Sequence, residues 1–232
     1  MAADLDGATI VFDLDGTLIH TAPDLAAATS HALGLAGVPP VSVGELLQFV
    51  GHGSRAMLDA GLRMHGKTLS APETARLHDA FLDYYAANVS VLSRPFNGIV
   101  DVLDALAAGG ARLAVCTNKM ENLSKLLLKD LGLDRRFAFI AGRDTFDVFK
   151  PAPGHLTKTI TAAGGTIDRA VMVGDSEVDI ATAIAAGVPS IAVTFGYTTL
   201  PIRDLGASAV IDHYRDFMGA LRDVLRQRST AV

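Results

Sequence analysis

The sequence has little of what would place it in several broad classes. It holds one cysteine, Cys116, so no intramolecular disulfide can form, and a reducing compartment fits. Basic residues are outnumbered, 20 against 25 acidic, for a net charge of -5. A binder of nucleic-acid backbone normally carries the opposite excess, so no nucleic-acid partner is expected. Two long uncharged stretches, Leu25 to Gly44 and Ile180 to Ile202, are broken by glycines and prolines. They read as helix–turn segments of a core rather than bilayer spans, so no membrane partner is expected. The N-terminus lacks a basic region followed by an apolar core. No signal peptide is therefore expected, and the cytoplasm is the default. Internal repeats and low-complexity segments are also missing. What remains is a 232-residue chain, 50% apolar and 19% charged, with enough length for one large domain or two small ones around a sizeable core.

The stretch from Thr9 to Leu18 organises the rest. Thr9 to Phe12 is a short apolar, partly β-branched run that suits a buried strand. It ends in Asp13 and Asp15, one residue apart, then Gly16. Burying unpaired carboxylates is costly, so such a pair wants a cation, a hydrogen-bond network or water. Taken alone, the stretch reads equally well as a strand end and an Asp-Gly turn.

From about Pro23 to Asn88 the strand-like runs disappear. Leu25, Ala28, Ala32 and Leu33 recur at helical spacing, as do Leu77, Phe81 and Tyr84. Gly51-His52-Gly53-Ser54 interrupts, with Ser54 a candidate N-cap for a helix through Leu58 and Leu62. Roughly four helices are expected here. From Pro95 onward strands and helices alternate. Strands are expected at Arg112–Cys116, Phe137–Ala141, Ala170–Val173, Ser190–Val193 and Ala209–Ile211. Helices are expected around Leu103, over Leu123–Leu131, around Ile160, and over Val178–Ala186 and Phe217–Arg226; residues 229–232 read as a frayed tail. Such alternation means an α/β fold, a parallel sheet with helices on both faces. A lone parallel strand cannot stand by itself, so Thr9 to Asp13 belongs to that sheet and the helical block is an insertion. The expected division is an α/β core of residues 1–20 and 92–232, with a helical domain of residues 21–91.

Ligands of open parallel sheets bind beyond the carboxyl ends of the strands. Those ends carry Asp13-Leu14-Asp15-Gly16-Thr17, Thr117-Asn118-Lys119, Lys150-Pro151 and Gly174-Asp175-Ser176-Glu177-Val178-Asp179. Carboxylates bind a hard divalent cation, a hydroxyl and helix N-terminal N–H groups hold anionic oxygens, and a lysine neutralises charge. Each is suited to phosphate chemistry. Simpler readings stand beside these. Cys116 reads as a core thiol, Asn118 as a turn residue, Lys150 as surface charge, Glu177 and Asp179 as helix N-terminal acids, and Thr17 as a turn cap. His31, His65, His78 and His155 show no metal-ligand spacing.

In this order, D-x-D-G-T-L, T-N-K, K-P and G-D-S-x-x-D resemble the haloacid-dehalogenase-superfamily phosphatases, over nearly the whole chain. The resemblance implies a Rossmann-like core with an inserted all-helical cap of the C1 type. It implies Asp13 as the nucleophile that forms an aspartyl-phosphate, and Asp15 as general acid and then base. It implies Mg²⁺ held by Asp13, the backbone carbonyl of Asp15 and Asp175, with Asp179 supporting. Thr117, the N–H of Asn118 and Lys150 would hold the phosphoryl oxygens. Thr21-Ala22-Pro23-Asp24-Leu25, Val50-Gly51-His52-Gly53, Gly174-Asp175-Ser176 and Phe195-Gly196-Tyr197 look like the phosphoglycolate phosphatase branch. His20 and Ser93-Arg94-Pro95-Phe96 depart from it. The expected partner is a small phosphorylated metabolite, with His52 or Arg55 reading its non-phosphate end. Other phosphatase substrates (sugar phosphates, nucleotides, pyrophosphate), a β-phosphoglucomutase-like mutase and a non-catalytic binding domain are the alternatives. The chain is compatible with a monomer or a homodimer.

Overall fold

A computed structural model describes residues 5–230. Its centre is a six-stranded parallel sheet. Strand β1 is Thr9–Phe12; β2, Ile19–His20, and β3, Arg94–Pro95, are short; β4 is Arg112–Cys116 and β5 Phe139–Ala141. They are followed by β6, Ala170–Gly174, β7, Ser190–Val193, and β8, Ala209–Ile211. The sheet order is β5-β4-β1-β6-β7-β8, so the strand bearing the two acids lies centrally, flanked by β4 and β6.

Both faces of β1 are buried. Ile10 and Phe12 pack into one apolar cluster and Val11 into another, which is why the strand is continuously apolar rather than alternating. The first cluster takes side chains from helices α5 (Ile99–Ala108), α6 (Glu121–Asp130) and α9 (Phe217–Thr230). The second takes Leu156 and Ile160 from α7 (Pro153–Ala162) and Ala183 from α8 (Glu177–Ala185). Helix α9 takes in Ser229 and Thr230 of the expected tail; Ala231 and Val232 lie outside the described residues. Strand β5 starts at Phe139 rather than Phe137, because a 3-10 turn at Asp134–Arg136 runs directly into Phe137.

Between β2 and β3 lie α1 (Ala22–Leu35), α2 (Val43–Val50), α3 (Ser54–Met64) and α4 (Ala71–Ala87). Ser42 with Glu45 and Ser70 with Glu73 form capping boxes that start α2 and α4. Ser54 is not the expected N-cap. Gly53, at φ +89°, takes that place, and the Ser54 hydroxyl pairs with His78 Nε2 at 2.8 Å. The two chain crossings into the helical block are tied side by side. β2 and β3 pair as a two-residue antiparallel ribbon. Beside it the buried Asp24 carboxylate accepts from Leu92 N at 3.0 Å, and from Ser93 N and the Ser93 hydroxyl, both at 2.7 Å. The two uncharged stretches resolve as helix–turn–helix and helix–strand segments, and no helix among the described residues is long and apolar enough to cross a membrane.

Candidate active site

The carboxyl ends of β1, β4 and β6 converge on one cavity of about 460 Å³, within the range of ~300–1,000 Å³ common for ligand pockets. Asp13, Asp15, Thr117, Asn118 and Lys150 line its floor, and His52 and Arg55 of the helical block line its roof. Asp175 and Asp179 stand behind the floor, next to Asp13. All the candidate residues named from sequence therefore meet at one place.

Asp13 follows directly from β1, its N–H donating to Val173 O at 2.9 Å. Leu14 turns into the apolar core, which lets Asp13 and Asp15 face the same side. Lys150 is 3% exposed and donates from Nζ to Asp13 Oδ1 at 2.8 Å and to Asp179 Oδ1 at 2.5 Å. Burial opposes its charge, but the two carboxylates outweigh that and hold the ammonium above its ordinary range. The peptide between Lys150 and Pro151 is cis. Asp13 Oδ2 has no hydrogen-bond partner among the described residues.

Asp175 is held from two sides. The Thr17 hydroxyl donates to its Oδ1 at 2.8 Å, and Tyr197 N–H donates to Oδ2 at 2.7 Å. Thr17 is thus more than a turn cap. Two glycines make room for this carboxylate. A Cβ on Gly16, at φ +89°, would lie 2.4 Å from Asp175 Oδ2, and one on Gly196 would lie 2.1 Å from Asp175 Cβ. Asp179 has both oxygens engaged, Oδ1 by Lys150 and Oδ2 by the Ser176 hydroxyl and N–H at the start of α8.

Asp13, Asp175 and Asp179 can each offer an oxygen within 4.8 Å of the others. Burial pushes Asp13 up to about 7 and Asp175 well above the usual carboxylate range, with neighbouring carboxylates adding to both and Lys150 pulling Asp13 back. Three buried acids share one ammonium. That donor set fits a hard divalent cation, which would supply the missing positive charge. Asp13 keeps Oδ2 open and Asp175 carries one neutral donor on each oxygen, whereas Asp179 carries the Lys150 ammonium on one oxygen and two donors on the other, so Asp13 and Asp175 have more lone pairs to spare for a cation.

Asp15 is turned sideways. Its Oδ1 accepts from the Thr21 hydroxyl at 2.6 Å, and Lys119 Nζ bridges both oxygens at 3.0 and 3.1 Å. Lys119 in turn sits 4.5 Å from the ring centroid of Tyr85, on α4. Asn118 Nδ2 donates to Lys150 O at 3.0 Å, tying two of the strand-end loops together. Cys116 is a core thiol, with burial pushing it up to about 12, far from a reactive thiolate. At the roof, His52 Nε2 lies 3.6 Å from Glu177 on the core, and burial together with Arg55 holds the His78 imidazole below its usual range.

Reading the sequence did not assign parts to Lys119, Thr21, Tyr197 or Arg143, all of which touch this site. Lys119, Thr21 and Tyr197 were visible as members of T-N-K, Thr21-Ala22-Pro23-Asp24-Leu25 and Phe195-Gly196-Tyr197. Nothing local marked Arg143.

The haloacid dehalogenase-like hydrolase family matches residues 10–193. A phosphoglycolate phosphatase of Mesorhizobium japonicum is 48% identical over 205 residues, 88% of this chain and 90% of that protein. One of Caulobacter vibrioides is 44% identical over 92% of this chain and 90% of its own. Among solved structures, a predicted phosphoglycolate phosphatase from Haemophilus somnus superposes with a TM-score of 0.86 at 29% identity, covering 93% of this chain and 97% of the other.

Proposed function

The chain belongs to the haloacid dehalogenase-like hydrolase family and is a phosphatase, and from that premise we propose that it hydrolyses 2-phosphoglycolate to glycolate and phosphate through an aspartyl-phosphate on Asp13. The observation that carries the chemistry is the pairing of Lys150 Nζ with Asp13 Oδ1 while Oδ2 is left open beside the cavity. A lysine in that position pulls Asp13 toward its ionised form against the effect of burial and meets the phosphoryl oxygens as they arrive. Asp13 Oδ2 attacks phosphorus, and the bond from phosphorus to the alcohol oxygen breaks. Asp15 donates its proton to that oxygen, and glycolate leaves. Asp15, now a carboxylate, takes a proton from water as the water attacks the phosphoryl group, which frees phosphate and restores Asp13. Lys119 Nζ holds both Asp15 oxygens, so Asp15 reaches the leaving oxygen only after releasing that contact. Thr117 and the N–H of Asn118 grip the phosphoryl oxygens. Asp13, the Asp15 carbonyl and Asp175 are the residues that would hold Mg²⁺, with Asp179 fixing Lys150 and the start of α8. When bound, Mg²⁺ supplies positive charge against the phosphoryl oxygens.

Two expectations follow for metal binding. The raised Asp13 value places its folded-state protonation above that of an unfolded chain. Its stabilising contribution is therefore complete below pH 3.8 and lost as pH rises through about 7. Metal-free protein is expected to melt at lower temperature as pH rises over that window. Mg²⁺ binds the ionised carboxylates, so its stabilising increment grows with pH and reaches about 2.7 kcal/mol at a hundred times Kd. Thermal melts with EDTA and with Mg²⁺ at pH 5.5 and 7.5 check this. A pH-independent increment would count against metal binding by Asp13 and Asp175.

The substrate rests on the names of the relatives and on the roof of the cavity. Residues 21–91 are proposed to act as a cap that closes over the site and brings His52 or Arg55 to the carboxylate of the substrate. The test is a panel of phosphoglycolate, sugar phosphates, nucleotides and pyrophosphate ranked by kcat/KM. Phosphoglycolate is expected to lead, and His52→Ala or Arg55→Ala to lower its kcat/KM by roughly 10- to 100-fold, the value of a charged hydrogen bond. A different leading ester overturns the substrate; wild-type efficiency in both variants removes the cap contact.

A further inference from the structure

The cavity holds more positive charge than the phosphoryl chemistry uses. Lys150 is occupied by Asp13 and Asp179, and Lys119 by Asp15. Two arginines line the same cavity: Arg55 in the first turn of α3, and Arg143 two residues beyond the end of β5. Neither guanidinium pairs with a carboxylate among the described residues, in a chain where acids outnumber bases 25 to 20. The acid next to Arg143 does not answer it, because Asp144 Oδ1 accepts from Glu121 N–H at 2.8 Å.

Arg143 is not a loose surface side chain. Its N–H donates to Lys119 O at 2.9 Å, which fixes its backbone to the loop carrying Thr117 and Asn118. A Cβ on the preceding Gly142 would lie 2.2 Å from Glu121 N, so the chain runs hard against the start of α6. The Arg143 guanidinium stacks 3.8 Å over the ring of Phe149, which immediately precedes Lys150. Phe149 is 41% exposed, and this stacking accounts for a large apolar ring at the rim. Stacking covers one face of the guanidinium and leaves its in-plane N–H groups free to donate, and such a fork can meet a carboxylate with two parallel hydrogen bonds.

Resting on the phosphoglycolate reading above, we infer that Arg143 is a specificity-determining residue: it supplies the core's half of the substrate-carboxylate subsite, opposite Arg55 on the helical block, and Phe149 is the positioning residue that aims it. A cation on the fixed wall recognises the carboxylate before the helical block closes, and Arg55 completes the contact on closure.

The quantity that tests this is the selectivity ratio, kcat/KM for phosphoglycolate divided by kcat/KM for p-nitrophenyl phosphate, which carries no carboxylate. Arg143→Ala is expected to lower the ratio by roughly 10- to 100-fold, chiefly through the KM for phosphoglycolate. Arg143→Lys keeps the charge but loses the fork, and recovers only part of it. Phe149→Leu lowers the ratio by about 2- to 5-fold, the value of a stacked cation at an exposed ring. A wild-type ratio near one overturns the phosphoglycolate reading and this inference with it. A clear wild-type preference that survives Arg143→Ala unchanged, or a loss that strikes both substrates equally, overturns the Arg143 assignment alone.

Discussion

Asp13→Asn is expected to lower kcat by on the order of 10⁴-fold or more, the scale seen when a covalent nucleophile is removed. The amide is nearly isosteric with the carboxylate but cannot form an acyl phosphate, so no covalent intermediate can accumulate. The variant is expected to stay folded. Its amide oxygen can still accept from Lys150, and the substitution removes one of three buried acids crowded around that ammonium. The variant should therefore lose part of the fall in melting temperature expected of metal-free wild-type protein between pH 4 and pH 7, Asp175 keeping the rest. Two measurements check it: steady-state turnover of p-nitrophenyl phosphate, and intact-protein mass after acid quench during turnover. Wild-type protein should gain one phosphoryl group and Asp13→Asn none. Turnover close to wild type would remove Asp13 from its role.

Lys150→Ala is expected to act on rate and on stability together. Losing one preorganised contact to the phosphoryl oxygens costs about 10²- to 10³-fold in kcat. The same change leaves Asp13 and Asp179 buried without their counter-ion, and removing one partner of a buried pair commonly costs ~3–5 kcal/mol. The loss should be larger at pH 8 than at pH 5, because protonated carboxylates need no partner. Mg²⁺ should restore part of the stability, since the acids left behind still attract a cation, but not the rate. Lys150→Arg is not a full rescue, because a planar guanidinium does not reproduce the ammonium's point contacts with Asp13 and Asp179. Melts at the two pH values, with and without Mg²⁺, and kcat under saturating substrate decide it. Wild-type melting at pH 8 would show that the cluster is neutralised by other means.

Much of this arrangement was legible along the chain. Thr9–Phe12, Arg112–Cys116, Ser190–Val193 and Ala209–Ile211 are strands with the expected bounds, because short apolar runs between glycines leave few other options. The four sets of polar residues at strand ends were visible because a parallel sheet gathers those ends on one side. What escaped is what only crossovers bring together. Thr17 serves Asp175 across most of the chain, Tyr197 reaches the same carboxylate through its backbone, and Arg143 meets the cavity through a turn with no motif. The β2–β3 ribbon is two residues per strand, too short to leave a periodicity. Asp24 was visible only as part of Thr21-Ala22-Pro23-Asp24-Leu25, and its partners lie far along the chain at Leu92 and Ser93.

The placement of β1 has a consequence for how the chain assembles. Thr9 pairs with Arg112 on one side and with Ala170 on the other, so the central strand is also the one whose neighbours lie farthest from it along the chain. Its hydrogen bonds form only after long loops have closed, and loop closure is costly before such contacts can offset it. The helical block, by contrast, is built from contacts close in sequence and can take shape while the ribosome is still making the rest. The strand that leads into both acids is completed only when Ala170–Gly174 has joined it, so the site depends on the longest-range pairing of the sheet.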